Sequence, residues 1–467
     1  MLAPRGHGYR SITMAIETSP SAGRLREQLE QQGVEFVFAQ FVDMHGKPNA
    51  KLVPVGHLED LLVEGAGFAG FAAGDIGQGP HDPDIAAIPD VDSLTHLPWK
   101  PEVARFACDV TVEGQPWPFC PRTILRNQLA RASELGYELK MGCELEYFLI
   151  RRREDGGIEL ADALDDLDQP CYDMRALTRS LGFVADVARH VNTLGWENYA
   201  TDHEDANGQF EQNFTFNDAL VSCDRAIFFR YMVESLAQER GLIATFMPKP
   251  FAHLTGNGCH MHMSLWNGDR NLFEAEEDPR GLGLSKEAYH FIAGLMAHAK
   301  AYIAVTAPTV NSYKRLKVGD PRSGATWAPV YVSYGYNNRT QMLRIPGPGR
   351  VEDRTIDGSC NPYLAATVVL AAGLDGIENR IDPGEPVSGN LYTTSAGDLA
   401  KQGIELLPAN LFDATRELER DEVLREALGR ARDEDYVDYY ARVKRDEWFR
   451  YHEQVTPWEI DEYLTRF

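Results

Sequence analysis

The amino-acid sequence predicts an α+β fold, built as a small N-terminal unit followed by one large domain. Three observations carry that expectation. Aromatic and β-branched runs of strand length alternate with helical patterns along nearly the whole chain, no internal repeat is visible, and the one clear punctuation is Gly114-Gln115-Pro116-Trp117-Pro118. A length of 467 residues is about three domains at roughly 150 residues each. With no low-complexity linker to divide it, most of the chain must share one large core. The expected layout is a flexible extension over residues 1–20, an N-terminal α+β unit over 21–115 and the large domain over 116–467. Met14 also suits a start site.

Residues 22–32 (AGRLREQLEQQ) place Leu25 and Leu29 on one helical face and stop at Gly33, a residue suited to a helix end. Glu35–Asp43 (EFVFAQFVD) reads as a strand, His45-Gly46-Lys47 as a turn and Ala50–Val55 as the returning strand. Beyond the punctuation, Arg122–Leu135 is helical in pattern. Met141–Ile150, Ala244–Pro248, Cys259–Trp266, Val330–Tyr336 and Thr340–Ile345 read as strands, between helices over 172–194, 217–240, 285–305 and 361–379. The segment 417–466 is charged and helical in pattern. The sum is a large, mainly antiparallel sheet with helices packed against it.

Composition narrows the function. The chain is 43% hydrophobic, 25% charged and 10% aromatic, enough apolar material for a sizeable core. Lys+Arg 46 against Asp+Glu 70 gives a net charge of -24, which disfavours nucleic acid and anionic membranes as partners. The longest uncharged apolar stretch, Leu364–Leu374, is far short of the ~20 residues of a membrane span and reads as a buried helix or strand. The N-terminus has no apolar h-region, and the seven scattered cysteines never fall in C-x-x-C spacing, so a reduced, cytoplasmic protein is expected.

Four clusters carry chemistry. Glu144 and Glu146 are two apart on a strand and share a face, which suits either a cation between them or a solvated surface. Residues 203–211 (HEDANGQFE) gather acids around Gly208 and read as a polar loop or as ligands. Gly256-Asn257-Gly258-Cys259-His260-Met261-His262 puts two imidazoles on one strand face beside a glycine turn, a weak metal signal until carboxylates join it. Arg339, Arg344, Arg350 and Arg354 surround Glu352 near Gly347-Pro348-Gly349, a cationic cluster in an acidic chain that suggests an anion to be held. Together they suit divalent metal and phosphoryl transfer. Neither G-x-x-x-x-G-K-[ST] nor G-x-G-x-x-G after a strand is present, so a nucleotide here would be held by metal and arginine.

In order along the chain, these segments resemble the glutamine synthetase family from about residue 24 onward. The carriers are Gly142-x-Glu144-x-Glu146, Glu204 with Gly208-Gln209-x-Glu211, His260–Leu265, Asn311–Leu316, Asn338-Arg339-Thr340 through Arg344-Ile345-Pro346, and Glu352-x-Arg354 leading to Asn361–Leu364. The likeness is greatest to the type III glutamine synthetase and γ-glutamylmethylamide synthetase branch. It implies a β-grasp-like N-terminal domain, a catalytic domain with a curved antiparallel sheet flanked by helices, and ATP with two or more Mg2+ or Mn2+ per site. It implies Glu146, Glu204 and Glu211 as ligands of the substrate-side metal, and Glu144, His260 and Glu352 as ligands of the metal bridging the ATP phosphates. Arg315 and Gly256 match glutamate contacts, and Arg339, Arg344 and Arg354 match residues neutralising the phosphoryl group and substrate carboxylates. Phe216, His262, Ser264, Arg344 and Arg350 match nucleotide contacts, and Tyr392 sits where some members carry a modifiable tyrosine. The resemblance also implies stacked hexameric rings with active sites shared between neighbours.

The implied chemistry phosphorylates the γ-carboxylate of L-glutamate with ATP and lets a neutral amine attack the acyl phosphate. Ammonia-using members place carboxylates in an F-D-G-S-S segment and an E-A-P flap. This chain has Phe68-Ala69-Gly70-Phe71-Ala72 and Trp327-Ala328-Pro329 there. Ala69 and Trp327 weaken an ammonium site and favour an alkylammonium, so a small organic amine, methylamine first, is the expected donor. Asp75 or Asp84 restoring a carboxylate would keep ammonia as the donor. Bulkier amines such as ethanolamine, isopropylamine or a polyamine form the remaining alternative.

Overall fold

The computed structural model describes residues 20–318 and 329–467. Residues 1–19, with Met14 and most of the expected extension, lie outside the described residues, and so do Trp327 and Ala328.

The first helix, Pro20–Gln31, buries Leu29 and is followed by a turn in which Gly33 takes φ +82. The hairpin that follows pairs Phe36–Val42 with Pro48–Pro54. Its strand alternation was legible, but the sheet it belongs to is larger: seven strands, with the main order Pro48–Pro54, Phe36–Val42, Val103–Val112, Ile85–Pro89, Ala66–Phe68. Phe36–Val42 runs parallel to Val103–Val112, the long central strand, and the other pairs are antiparallel. Ala66–Phe68 is the edge strand at one end, and Ala69 follows it, exposed, at the start of a single 3-10 turn.

The second sheet has eleven strands. Its main path is Asn198–His203, Gln209–Phe214, Glu138–Arg152, Cys259–Asn267, Val351–Asp353, Leu343–Ile345, Tyr334–Tyr336. It is antiparallel except at its last pair, which is parallel. Two expectations change here. Val330–Tyr336 is not one strand: Tyr331–Val332 leaves to pair with Glu405–Leu406, and only Tyr334–Tyr336 joins the large sheet. The 203–211 cluster is not a loop but the turn and flanks of a hairpin. Gln209–Phe214 is buried at every residue, and its polar composition hid the strand.

Helices cover one side of this sheet. Pro362–Glu378 is apolar around nearly its whole circumference and is buried from Pro362 to Leu374, with Glu378 in the last turn exposed, as the uncharged run Leu364–Leu374 foreshadows. It packs on Lys286–Thr306 at a closeness that only glycine permits. A Cβ on Gly294 would meet Ala372 O at 2.0 Å, and one on Gly376 would meet His290 O at 2.1 Å. Each large aliphatic side chain buried there contributes roughly 1.5–3 kcal/mol. Among the described residues no helix is long and apolar enough to cross a membrane.

Candidate active site

Register places the site. Glu146 stands opposite Glu211, and Glu211 opposite Asp202. Glu144 stands opposite His260, His262 opposite Glu352, and Glu352 opposite Arg344. Six adjacent strands therefore carry polar groups onto one face. The alternate residues of the central strand, Cys143, Leu145 and Tyr147, are buried on the helix-covered side. The face lines a cavity of about 600 Å³ that also takes in Gly256, Arg315, Arg339 and Arg354.

Within it His260 Nδ1 lies 3.6 Å from Glu144, 3.7 Å from Glu146 and 3.8 Å from Glu352. His262 Nε2 is 2.9 Å from Glu144. Glu352, fully buried, accepts from Arg344 at 2.6 Å and from Arg354 at 2.5 Å. Glu146 accepts the backbone N–H of Gly258 at 2.6 Å and the Gln209 amide at 3.1 Å. Arg315 is fixed by donating to the carbonyls of Thr355 and Arg354, each at 3.0 Å. A Cβ on Gly258 would come within 2.7 Å of His260 Nε2, 2.9 Å of Arg315 Nη2 and 3.0 Å of Glu146 Oε1, so the glycine turn lets backbone press against three of these groups.

The carboxylates split into two electrostatic kinds. Burial opposes ionisation of Glu144, but hydrogen bonds from His260 and His262 outweigh it and hold the carboxyl far below its ordinary range. Burial likewise opposes ionisation of Glu352, and the charges of Arg354, His262, His260 and Arg344 bring it down to about 2. On the other side, burial and the charge of Glu146 push Glu204 up to about 8. Burial with the charges of Glu204, Glu144 and Glu146 raises Glu211 well above the usual range.

That imbalance is the test for metal. Glu146, Glu204 and Glu211 each bring an oxygen within 4.8 Å of the others, as do the ligand atoms of Glu144, Glu211 and His260, and those of Glu144, His262 and Glu352. Buried oxygens with like-charge neighbours and few donors are what hard divalent cations bind, so the residues present fit such ions. The expected first set coincides with one of these groups. His260 and Glu352 fall in different groups, both sharing Glu144, and Glu352 is held by two arginines.

The expected nucleotide contacts occupy an adjoining cavity of about 350 Å³, which holds Phe216, His262, Ser264 and Arg350 and meets the first at Glu144 and Tyr199. Arg344 lines only the first. Sequence reasoning missed Trp266, whose ring lies 6.3 Å from that of Phe216 and under Lys140 Nζ at 4.6 Å. The signal was present: His260, His262, Ser264 and Trp266 recur with period two on one strand face. It also missed Tyr199 and Tyr172, exposed rings at the cavity rim. No chemistry-bearing pattern in the sequence marks either.

Ala69 does not line this cavity of its own chain. Asp75 is engaged by His45 Nε2 at 2.8 Å. Asp84 is exposed and directly precedes Ile85, whose strand partner Phe68 directly precedes Ala69. Tyr392 is 8% exposed with its hydroxyl buried, so it does not present itself for modification. The seven cysteines are free thiols, six of them buried.

The model of the glutamine synthetase catalytic domain matches residues 118–463. A glutamate–methylamine ligase of Methyloversatilis universalis is 47% identical over 448 residues, 96% of this chain and 100% of that protein. A glutamine synthetase of Rhizobium meliloti is 44% identical over 433 residues, 92% of this chain and 96% of that protein. A solved structure described as a GmaS/ADP complex superposes with a TM-score of 0.88 at 49% identity, covering 94% of this chain and 99% of that one.

Proposed function

The chain belongs to the glutamine synthetase family, and from that premise we propose that it joins the γ-carboxylate of L-glutamate to methylamine at the expense of ATP, through a γ-glutamyl phosphate. The observation that carries the donor is Ala69, a neutral residue where ammonia-using relatives are expected to hold a carboxylate. The 47% identity to a glutamate–methylamine ligase supports the same reading.

In this reading Arg315, held by two backbone carbonyls, grips the α-carboxylate of glutamate. Gly256 admits the substrate beside it. Glu146, Glu204 and Glu211 would hold one Mg2+ or Mn2+, and Glu144, His260 and Glu352 would hold a second; such ions would offset charge on the transferring phosphoryl group. Arg339, Arg344 and Arg354 bring guanidinium groups to the same cavity and stabilise that charge as it develops. Phe216 and Trp266 offer apolar faces to the nucleotide base, with Ser264, His262 and Arg350 around it. Exclusion of water matters because the acyl phosphate hydrolyses if the amine does not reach it first. The assembly proposed is stacked hexameric rings in the cytoplasm, with Ala69 facing a neighbour's site from its exposed sheet edge.

The experiment compares kcat/KM for methylamine, ethylamine and ammonia with ATP, Mg2+ and glutamate. Methylamine is expected to lead, and ammonia equal to or above it overturns the assignment. A second reading, glutamine synthetase with ammonia as donor, is favoured by one observation: exposed Asp84 directly precedes Ile85, the strand partner of Phe68 next to Ala69. The 44% identity to a glutamine synthetase is consistent with it. The same comparison decides between them.

A further inference from the structure

One carboxylate outside the cavity reaches both ends of the turn that carries two of its acids. Asp165 lies in the segment between the strand Ile158–Leu160 and the helix Met174–Arg179, and is 4% exposed. Its Oδ2 accepts the backbone N–H of Gly208 at 2.5 Å and lies 2.8 Å from His203 Nε2, while Oδ1 accepts from Asn207 Nδ2 at 3.2 Å. His203 is wholly buried, and its Nδ1 lies 2.9 Å from the carbonyl oxygen of Glu204. Gly208 has φ +71, and a Cβ there would press on Leu160 Cδ2 at 3.0 Å. The turn is thus held at its entry through His203 and at its exit through Gly208. Glu204 follows His203 directly, and Glu211 lies three residues after Gly208 on the outgoing strand.

We propose that Asp165, acting through His203 and the Gly208 amide, is the positioning residue that fixes the Glu204–Glu211 spacing and so sets metal affinity at the Glu146, Glu204, Glu211 site. Physically, two carboxylates that share a buried site repel when both are ionised, so the spacing at which they meet an ion depends on how firmly the backbone beneath them is pinned. Partners one shell behind a ligand typically change metal affinity by about 10–100-fold when removed. Asp165 touches neither cavity, so the clamp leaves the nucleotide side unaffected.

The inference rests on the metal reading given under Proposed function. The test is a Mn2+ titration of the full-length chain followed by electron paramagnetic resonance of the free ion, with ADP affinity and melting temperature measured on the same samples. Wild type, Asp165→Asn and Asp165→Ala are compared. Asparagine keeps an acceptor for the Gly208 N–H, so it serves as the conservative variant if alanine disturbs folding. The expected result is selective weakening of one Mn2+ per subunit, by about tenfold in Asp165→Asn and more in Asp165→Ala, with the second Mn2+ and ADP unchanged. Unchanged Mn2+ binding in a folded Asp165→Asn, or equal weakening of both ions, overturns the clamp. A wild-type chain that takes up no Mn2+ overturns the metal reading beneath it, which separates the two failures.

Discussion

Arg354 donates to Glu352 across 2.5 Å, and both side chains are buried, at 6% and 0% exposure. Removing one partner of such a pair strands the other charge in a poor solvent, at a cost of about 3–5 kcal/mol. Arg344, at 2.6 Å on the other oxygen, softens the loss. Arg354→Ala is therefore expected to lower unfolding stability by about 3 kcal/mol in urea titration. It should also reduce kcat by about 10²–10³-fold, the usual effect of deleting one group that stabilises developing negative charge. A kcat within a few fold of wild type would remove Arg354 from the reaction.

Metal and protons compete for Glu204 and Glu211. Burial and neighbouring carboxylates raise both, Glu204 to about 8, whereas an unfolded glutamate ionises near pH 4.3. Between those values the folded metal-free chain binds more protons than the unfolded chain. The stability these groups give is complete below the unfolded value and is lost as pH rises toward about 8. In EDTA the melting temperature should fall as pH is raised across this window. Stabilisation by saturating Mg2+ should grow over the same range, because the ion then displaces fewer protons. Glu204→Gln should flatten the EDTA profile. A metal-free melting temperature that climbs through this window contradicts the prediction.

Trp266 and Phe216 stand 6.3 Å apart, centroid to centroid, in the cavity beside the carboxylates. Stacking of a base on one aromatic ring is worth about 1–3 kcal/mol. Trp266→Ala should raise KM for ATP about tenfold while leaving KM for glutamate within twofold, as read from initial rates at saturating amine. An equal rise in both constants would place Trp266 in general packing instead.

The sequence showed the site more fully than the sheet that bears it. Glu144, Glu146, His260 and His262 sit on strands whose period-two alternation is explicit, so their shared face follows from spacing alone. Gln209–Phe214 escaped because a strand buried on both faces need not alternate, and some of its polar groups find partners inside: Gln209 donates to Glu146 on the neighbouring strand, and Asn213 to Glu211. Val351–Asp353 is too short for any pattern, and its identity as a strand comes from its neighbours on both sides. Asp165 could not be found from spacing, since its partners lie 38 or more residues along the chain and only the folded hairpin brings them to it.

The donor prediction turns on a residue that lies away from its own cavity. Ala69 follows the edge strand Ala66–Phe68 and is exposed, so a charge introduced there costs the fold little. Ala69→Asp should restore an anion at the position where ammonia-using relatives are expected to hold one. An ammonium ion, small and strongly hydrated, gains more from a point carboxylate than an alkylammonium, which also seeks apolar contact. The ratio of kcat/KM for methylamine to that for ammonia is expected to fall by about tenfold, 1.4 kcal/mol of relative transition-state stabilisation, chiefly through faster use of ammonia. Because the residue would act across a subunit boundary, native mass measured on the same preparation should show an oligomer. A variant that keeps the wild-type ratio while remaining oligomeric would show that Ala69 does not select the amine, and would direct attention to Asp84, beside the Phe68–Ile85 pair.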